Sequence, residues 1–197
     1  MRYSETHKAE TRERVLKEAA KEIRAKGPDN VAVAGVMARA GLTHGGFYAH
    51  FASKDALVKE AIGAMFADAR KRTDRIDTNG DPRAVLRAYV DFYLSPAHRE
   101  SRDRGCPLPT LSGDFARSQP ATRERFGAGV EGIASRLAAP LATLGYADPR
   151  AESHALLAQL VGGVALARAV GDSALSDAML GDTHASIVAR YGLEIAQ

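Results

Sequence analysis

Hydrophobic positions along this chain recur every three or four residues, which is the spacing of one side of an α-helix. No stretch shows the strict alternation of a half-buried strand. The pattern therefore predicts an all-α protein of about nine helices. In the first of them, from Thr6 to Lys26, the apolar side is formed by Val15, Leu16, Ala19, Ala20 and Ile23.

Turn and capping residues divide the pattern into separate helices. Gly27-Pro28 ends the first one, and Ser53 is placed to cap a long helix that ends at about Thr78, before Asn79-Gly80. The remaining predicted elements are a helix from Pro82 that stops at Ser95-Pro96, a charged loop from Ala97 to Gly105, a short helix from Cys106 to near Arg117, a helix from Ser118 that Pro140 ends or kinks, a helix from Pro149 to about Val170, and a last helix from Ser176 to Tyr191.

The stretch from Val33 to Lys54 predicts two short helices joined by a tight turn. Gly41 supplies the left-handed residue that ends the first helix, and the hydroxyl of Thr43 is expected to cap the second. Phe47 and Phe51 lie four residues apart, so they share one side of that second helix. Two such helices form a helix-turn-helix, in which the second helix reads the major groove of DNA.

The run Gly41-Leu-Thr-His-Gly-Gly-Phe-Tyr-Ala-His-Phe-Ala-Ser-Lys-Asp-Ala-Leu resembles the signature of the TetR family of bacterial transcriptional regulators. The resemblance extends from about Thr11 to about Ile62. Two positions depart from the usual pattern: Met37 stands where a small Ala is common, and Ala32 stands where a capping Ser or Thr is common. The first helix of the motif is therefore expected to start with less local support.

Beyond residue 62 the resemblance lies in the helical layout and the length. It implies an N-terminal three-helix DNA-binding module over residues 1–62 and a helical effector-binding and dimerisation domain over residues 63–197. The domain boundary falls inside the long helix that starts at Ser53. A continuous helix between two domains can transmit motion from one to the other.

Matching positions of the family contact operator DNA, so the resemblance implies DNA contacts in this chain too. Hydroxyls, cations and the free amides of a helix N-terminus are the groups that bind phosphates, and His44 is the long polar side chain at the predicted tip. The alternative is that Gly45-Gly46 marks a plain loop, Tyr48 is core and His50 is buried. The candidate residues are Thr43, His44, Gly45, Gly46, Tyr48, His50 and Lys54.

The placement of charge agrees with a DNA-binding N-terminal module. Residues 1–60 hold 11 Lys and Arg against 8 Asp and Glu, whereas residues 61–197 hold 16 of each kind. The whole formal excess of +3 therefore lies in the part that carries the helix-turn-helix. Such an excess fits a module that meets phosphates and a remainder that does not.

Composition narrows the other possibilities. Of the 197 residues, 45% are hydrophobic and 26% are charged, as is usual for a globular protein. No apolar run reaches membrane-spanning length and the first residues are too polar for a signal peptide, so a cytoplasmic protein without a membrane partner is expected. One cysteine excludes an internal disulfide and a cysteine-based metal cluster within one chain. No metal or cofactor is predicted.

The C-terminal part supplies candidates for an effector pocket and for a homodimer interface. Phe92, Cys106, Phe115 and Phe126 are candidate pocket residues, although core packing is the alternative use of each. The last two helices, in a TetR-like layout, would meet their symmetry mates in a four-helix interface. The candidate interface residues are Leu157, Leu160, Val161, Val164, Ile187 and Val188.

Cys106 carries a separate hypothesis. Arg102 and Arg104 precede it and a short helix starts nearby, so a thiolate that senses oxidants or electrophiles is one reading, as in some TetR-like repressors. The other reading is a small buried hydrophobe. An enzyme using His98, Cys106 and Asp114 is disfavoured, because their spacing matches no catalytic motif. A helical scaffold that binds no DNA is the third class.

These observations together predict a homodimeric, TetR-like transcriptional regulator rather than an enzyme. We interpret it as a repressor that binds a palindromic double-stranded operator and is released by a small-molecule effector. The sequence identifies neither the effector nor the operator.

Overall fold

The structure, a computed structural model, describes residues 2–74, 80–171 and 173–194. Within these ranges the chain forms nine α-helices and one 3₁₀ helix, with no β-strand, so the all-α prediction is confirmed. The elements are α1 (Arg2–Lys26), α2 (Val33–Arg39), the 3₁₀ helix (His44–Ala49), α3 (Lys54–Thr73), α4 (Pro82–Tyr93), α5 (Pro96–Glu100), α6 (Leu108–Phe115), α7 (Pro120–Thr143), α8 (Pro149–Ala169) and α9 (Ser173–Tyr191).

The first hydrophobic core lies between α1, α2, the 3₁₀ helix and the first half of α3. Phe47 and Phe51 are each 2% exposed, and their rings stack with centroids 5.7 Å apart. Leu111 and Phe115 of α6 complete this core from the C-terminal side of the chain. The N-terminal helices therefore pack directly on the rest of the chain instead of being joined to it by a linker.

The second and larger core lies between α4, α7, α8 and α9. Gly163 of α8 is the point where α9 comes closest, because a Cβ there would meet the side chain of Thr183 at 2.9 Å. Glycine inside a helix costs about 1 kcal/mol relative to alanine. Here that cost is offset by the close approach of the two helices.

Several predicted helix limits were wrong. Ala97 to Gly105 is not entirely a loop: Ser95 caps α5 by accepting a hydrogen bond from the His98 amide, and Pro96 occupies its first turn. Of the two outcomes predicted for Pro140, an end or a kink, the end does not occur: α7 continues to Thr143, and the buried Leu137 and Leu141 hold its last turns on the core. The predicted limits at Thr6 and Ser176 are Arg2 and Ser173 in the structure, and the predicted end at Thr78-Asn79 lies outside the described residues.

The predicted dimer-interface residues belong instead to the core of a single chain. Leu160, Val164 and Ile187 are fully buried, and Leu157 is 5% exposed. Val161 and Val188 are half-buried and pack against the same core. The predicted residues are those on the most apolar side of α8 and α9. In the structure that side packs against other helices of the same chain.

A different side of α8 and α9 faces outward. It is formed mainly by small residues, with two exposed leucines and the exposed carboxylate of Asp182, and a Cβ at Gly162 or Gly181 would meet nothing within 4 Å. Neither glycine is therefore explained by packing within one chain. The residues on this outward side, exposed or half-buried, include Ala158, Gly162, Ala165 and Leu166 of α8 and Ala174, Leu175, Ala178, Gly181 and Ala185 of α9.

Across the part of the chain that the structure describes, no helix is both long and apolar enough to cross a membrane.

Candidate DNA-binding surface and ligand cavity

The turn between α2 and the 3₁₀ helix depends on Gly41. Its φ of +74° lies in the left-handed region, which side chains rarely adopt, and the Leu42 amide closes the turn on the Met37 carbonyl at 2.9 Å. The predicted cap at Thr43 was wrong, because its side chain accepts no hydrogen bond from the following turn. The element after the turn is a single 3₁₀ segment, not an α-helix, and two of its six residues are glycines with low helix propensity.

A buried carboxylate replaces the missing cap at Ala32. Glu22 of α1 is 5% exposed, and its Oε1 accepts a hydrogen bond from the Ala32 amide at 3.3 Å. The same carboxylate pairs with Arg39 at the end of α2 and with Lys26. Because both ends of α2 are tied to one residue of α1, the helix-turn-helix is held in a fixed orientation on α1.

Four of the predicted DNA residues form an exposed surface on the 3₁₀ helix. Thr43, His44 and Gly45 are exposed, and Tyr48 is the most exposed large hydrophobic side chain of the described residues, at 72%. The ring of Tyr48 rests edge-on against the buried Phe47, with centroids 5.2 Å apart. Phe47 thus fixes the segment from inside while its hydroxyl-bearing neighbour projects into solvent.

The two glycines of this segment have no role in internal packing. Neither Gly45 nor Gly46 has a positive φ. A Cβ at Gly45 would meet nothing within 4 Å, and one at Gly46 would make ordinary contacts with Met37 and Thr43. The fold would accept side chains at both positions. Glycine there leaves the backbone bare toward solvent, as a surface that closely approaches a duplex requires.

Two other predicted DNA residues, His50 and Lys54, are only partly exposed. His50 is half-buried, with its Nδ1 buried and without a hydrogen-bond partner. Lys54, in the first turn of α3, donates from Nζ to the Asp29 carbonyl oxygen at 2.7 Å. Arg12 of α1 pairs with Glu60 and lies over the Phe51 ring, 4.6 Å from its centroid, so it supports the motif from behind.

A cavity of about 470 Å³ lies between the C-terminal half of α3, α4 and α7, and it also reaches Cys106. Two of the four predicted pocket residues, Phe92 and Cys106, are in its wall. Phe115 and Phe126 are not: their rings pack on each other at 4.8 Å, and Phe126 supports Phe66, which does line the cavity. Phe126 is on a helix that forms the cavity but faces away from it, whereas Phe115 is on α6, which does not line the cavity.

The segment around Cys106 is held by a buried neutral histidine. His98 Nδ1 donates to the Tyr93 carbonyl oxygen at 2.7 Å, and its Nε2 accepts from the Cys106 amide at 3.1 Å, which fixes the tautomer. Burial lowers the pKa of His98 to about 4, with the Arg168 and Arg72 cations adding to the effect. The set of His98, Cys106 and Asp114, which the sequence disfavoured as a catalytic site, is not assembled, because His98 binds the amide of Cys106 and not its thiol.

Cys106 lacks the features of an activated thiol. Its side chain is 6% exposed, and burial raises the pKa of the thiol. The cations that partly oppose this shift are Arg24 and Arg72, not the predicted Arg102 and Arg104. The structure therefore supports the packing interpretation of Cys106.

Two arginines near the cavity were missed by the sequence analysis. Arg24 of α1 is 3% exposed, and it donates to the Met65 carbonyl oxygen at 3.2 Å and to the Asp103 carbonyl oxygen at 3.5 Å. Burial, and next the neighbouring Arg72, lower its pKa to about 10. Arg72 lies in the cavity wall. Hydrophobic periodicity finds buried positions by their apolar side chains. It therefore finds Ile23 but not the adjacent Arg24, which is charged and nevertheless buried.

A comparison with known protein families supports the assignment of the N-terminal helix-turn-helix. Residues 15–61 match the family model described as "Bacterial regulatory proteins, tetR family". This segment is therefore a TetR-family helix-turn-helix domain, and the resemblance drawn from the sequence is confirmed. Among curated protein sequences, none matches the chain.

Solved structures with the same fold cover nearly the whole chain. A TetR-family transcriptional regulator from Cytophaga hutchinsonii is 18% identical with a TM-score of 0.80, covering 97% of this chain and 98% of its own. A TetR transcriptional regulator from Chloroflexus aurantiacus is 23% identical with a TM-score of 0.79, covering 93% and 96%. The reduced form of NemR from E. coli is 20% identical with a TM-score of 0.78, covering 90% and 95%. At these identities the likeness shows the fold.

The raised pKa of Cys106 predicts a slow thiol. At neutral pH the native protein should react with iodoacetamide more slowly than the denatured chain, because burial lowers both the access to the thiol and its thiolate fraction. The rate should rise with pH through a midpoint above that of the denatured chain. Cys106 is the only cysteine, so the reaction reports one site. A native midpoint below the denatured one would instead restore the sensor hypothesis.

Proposed function

We propose that this protein is a ligand-responsive transcriptional repressor that binds a palindromic operator as a homodimer and releases it when a small effector occupies the cavity. The observation that carries the proposal is the bare segment from Thr43 to Tyr48. It belongs to a TetR-family helix-turn-helix domain, and its glycines and exposed tyrosine have no other use within the chain.

The chemistry of this segment divides the expected contacts into two kinds. Hydroxyls, backbone amides and the Lys54 ammonium suit phosphate oxygens, which position the protein on the duplex. His44, exposed at the tip, suits the edges of bases in the major groove, which carry the sequence information. Lys54 has a second use, since its hydrogen bond to the Asp29 carbonyl ties the start of α3 to the turn after α1.

A homodimer supplies the second reading segment that a palindromic site requires. The outward side of α8 and α9 suits a second copy of this chain. Its small residues permit close helix approach, and an exposed apolar side with two leucines is better covered than left in water. In a two-fold dimer this face would pair with the same face of the second copy.

The cavity suits the effector because of its place in the fold. One side of it is the C-terminal half of α3, and the N-terminal turn of the same helix follows the DNA-reading segment. A ligand that moves α3 would change the spacing of the two reading segments of a dimer. An effector that favours a wrongly spaced dimer would lower operator affinity.

DNA selection from genomic fragments, followed by titration at several salt concentrations, tests the DNA role. Lys54→Ala should weaken binding to all sequences and reduce the salt slope by about one unit, because one phosphate contact is lost. Lys71→Ala is the matched control: it removes the same charge from the exposed far end of α3 and should leave the slope unchanged. His44→Ala should relax base preference at particular positions instead.

Gly45→Leu adds a steric test to the same titration. A Cβ at this exposed position meets no atom of the protein within 4 Å, so the unfolding temperature should stay close to that of the wild type while operator binding is lost. Unchanged DNA affinity in this variant, or a wild type that binds no genomic fragment, would reject the assigned surface.

The dimer interface is tested by a charge on the outward side of α9. Ala178→Glu should shift the protein to monomers in sedimentation equilibrium, because it places an unpaired carboxylate in an apolar contact. Ala121→Glu, an exposed alanine in the first turn of α7, is the control and should remain a dimer. An intact dimer with Ala178→Glu would place the interface elsewhere.

A further inference from the structure

The wall of the cavity carries an excess of positive charge. Among the described lining residues four are arginines, namely Arg70, Arg72, Arg125 and Arg136, and Asp74 is the one carboxylate. Asp74 is already used, since its Oδ1 accepts from Arg136 at 2.6 Å and its Oδ2 lies 3.7 Å from Arg70 Nε. Arg72 and Arg125 therefore face the cavity without a carboxylate from its wall.

One polar group in the wall, Nη2 of Arg72, is buried without a hydrogen-bond partner. The hydroxyl of Tyr93, whose side chain is 1% exposed, is also buried in the wall, and its neighbour there is the Cys106 thiol. Asp68 offsets part of the charge of Arg72 from outside the wall, whereas Arg24 adds to it from behind. A buried donor that is left unpaired is costly, and a ligand oxygen in this position would remove that cost.

The rest of the wall is apolar. Phe66, Tyr89, Phe92 and Ile133 line it, and Tyr89 stacks on Tyr93 with ring centroids 5.8 Å apart. Gly129 leaves room for the Phe66 ring, which a Cβ there would overlap. Gly132 faces open space, so its missing side chain adds to the width of the cavity. The space of about 470 Å³ suits a molecule the size of a drug or metabolite.

We propose that the cavity binds an organic anion. Its acidic oxygens accept hydrogen bonds from Arg72 Nη2 and the Tyr93 hydroxyl, and its aromatic or aliphatic body packs against Phe66, Tyr89 and Phe92. This inference rests on the proposed function, in which the cavity holds the effector. It assigns the chemical class of that effector: an acid with an apolar skeleton, rather than a neutral or cationic compound.

The charge of the wall distinguishes an anionic ligand from a cationic or a neutral one. A cation in this cavity would be repelled by Arg72 and Arg125, and a neutral apolar compound would leave the buried Nη2 of Arg72 unpaired. An anion meets a fixed guanidinium in a site of low dielectric, where a charged hydrogen bond is stronger than at the surface. Asp74 already pairs with Arg70 and Arg136, which leaves Arg72 and Arg125 for the acidic group. Of these two, Arg72 is the better candidate because its Nη2 is buried without a partner.

Two fluorescent probes with one skeleton test the inference on the wild-type protein. 1-Anilinonaphthalene-8-sulfonate is an anion, and N-phenyl-1-naphthylamine is the same ring system without the sulfonate. The anion should bind one site per chain, at least about tenfold more tightly than the neutral probe, which is the order expected for one charged hydrogen bond. Equal affinities of the two probes would overturn the inference.

Variants then locate the site. Arg72→Met should lower the affinity for the anionic probe about tenfold or more and leave the neutral probe nearly unchanged. Arg72→Lys, which keeps the charge, should recover part of the loss, and Tyr93→Phe should cost the anion a few-fold. Lys71→Met removes the neighbouring charge on the outer side of α3 and should change neither affinity. Gly132→Leu should exclude both probes, because it fills the cavity.

An equal effect of Arg72→Met and Lys71→Met on the anionic probe would mean that general charge attraction, not this site, holds the anion. The inference and the proposed function fail separately. Selective anion binding by a protein that binds no genomic DNA would keep the ligand class and reject the regulator. Operator binding by a protein that does not prefer the anionic probe would keep the regulator and reject the ligand class.

Discussion

The structure depends on one buried contact, in which the Arg24 guanidinium of α1 donates to the Met65 carbonyl oxygen of α3. Arg24 also reaches the Asp103 carbonyl oxygen, so one side chain joins the helix-turn-helix domain, the middle of α3 and the segment before Cys106. Burial and the nearby Arg72 lower its pKa to about 10, so it remains charged at neutral pH. A buried charge that is held by carbonyl oxygens is sensitive to any new charge nearby. Arg24 is not in the cavity wall, but its charge acts on Arg72, which is.

The helix α3, to which Arg24 is hydrogen-bonded, extends from the helix-turn-helix to the cavity. The first turn of α3 follows the reading segment and carries Lys54, the middle is buried in the N-terminal core, and the last turns carry Arg72 in the cavity wall. Because an α-helix is stiff over this length, a displacement at one end reaches the other. Coupling between ligand and DNA would then need no long chain of intermediate residues. It would need the helix α3, the buried Arg24 beside it and a ligand whose charge acts on Arg72.

How much the sequence predicts differs between the parts of this chain. The helix-turn-helix follows from local chemistry, since the left-handed Gly41 and the spacing of Phe47 and Phe51 act within a few residues. Leu160 and Val164, predicted at an interface, are buried inside one chain, because periodicity finds the apolar side of a helix but not which neighbour covers it. The same limit applies to Phe115, an apolar residue that packs in the N-terminal core and not in the cavity. Arg24 and Arg72 were not predictable, because their burial results from contacts between helices distant in sequence.

The most direct test of the account is the affinity of the cavity for the anionic probe, measured with free protein and with protein saturated by its selected operator. Coupling between two sites is reciprocal, so an anion that releases DNA must itself bind more weakly when DNA is present. The account predicts a weakening of about 5- to 150-fold, the range typical of coupled sites. An identical affinity with and without operator would contradict it, because the cavity and the DNA-binding surface would then be energetically independent.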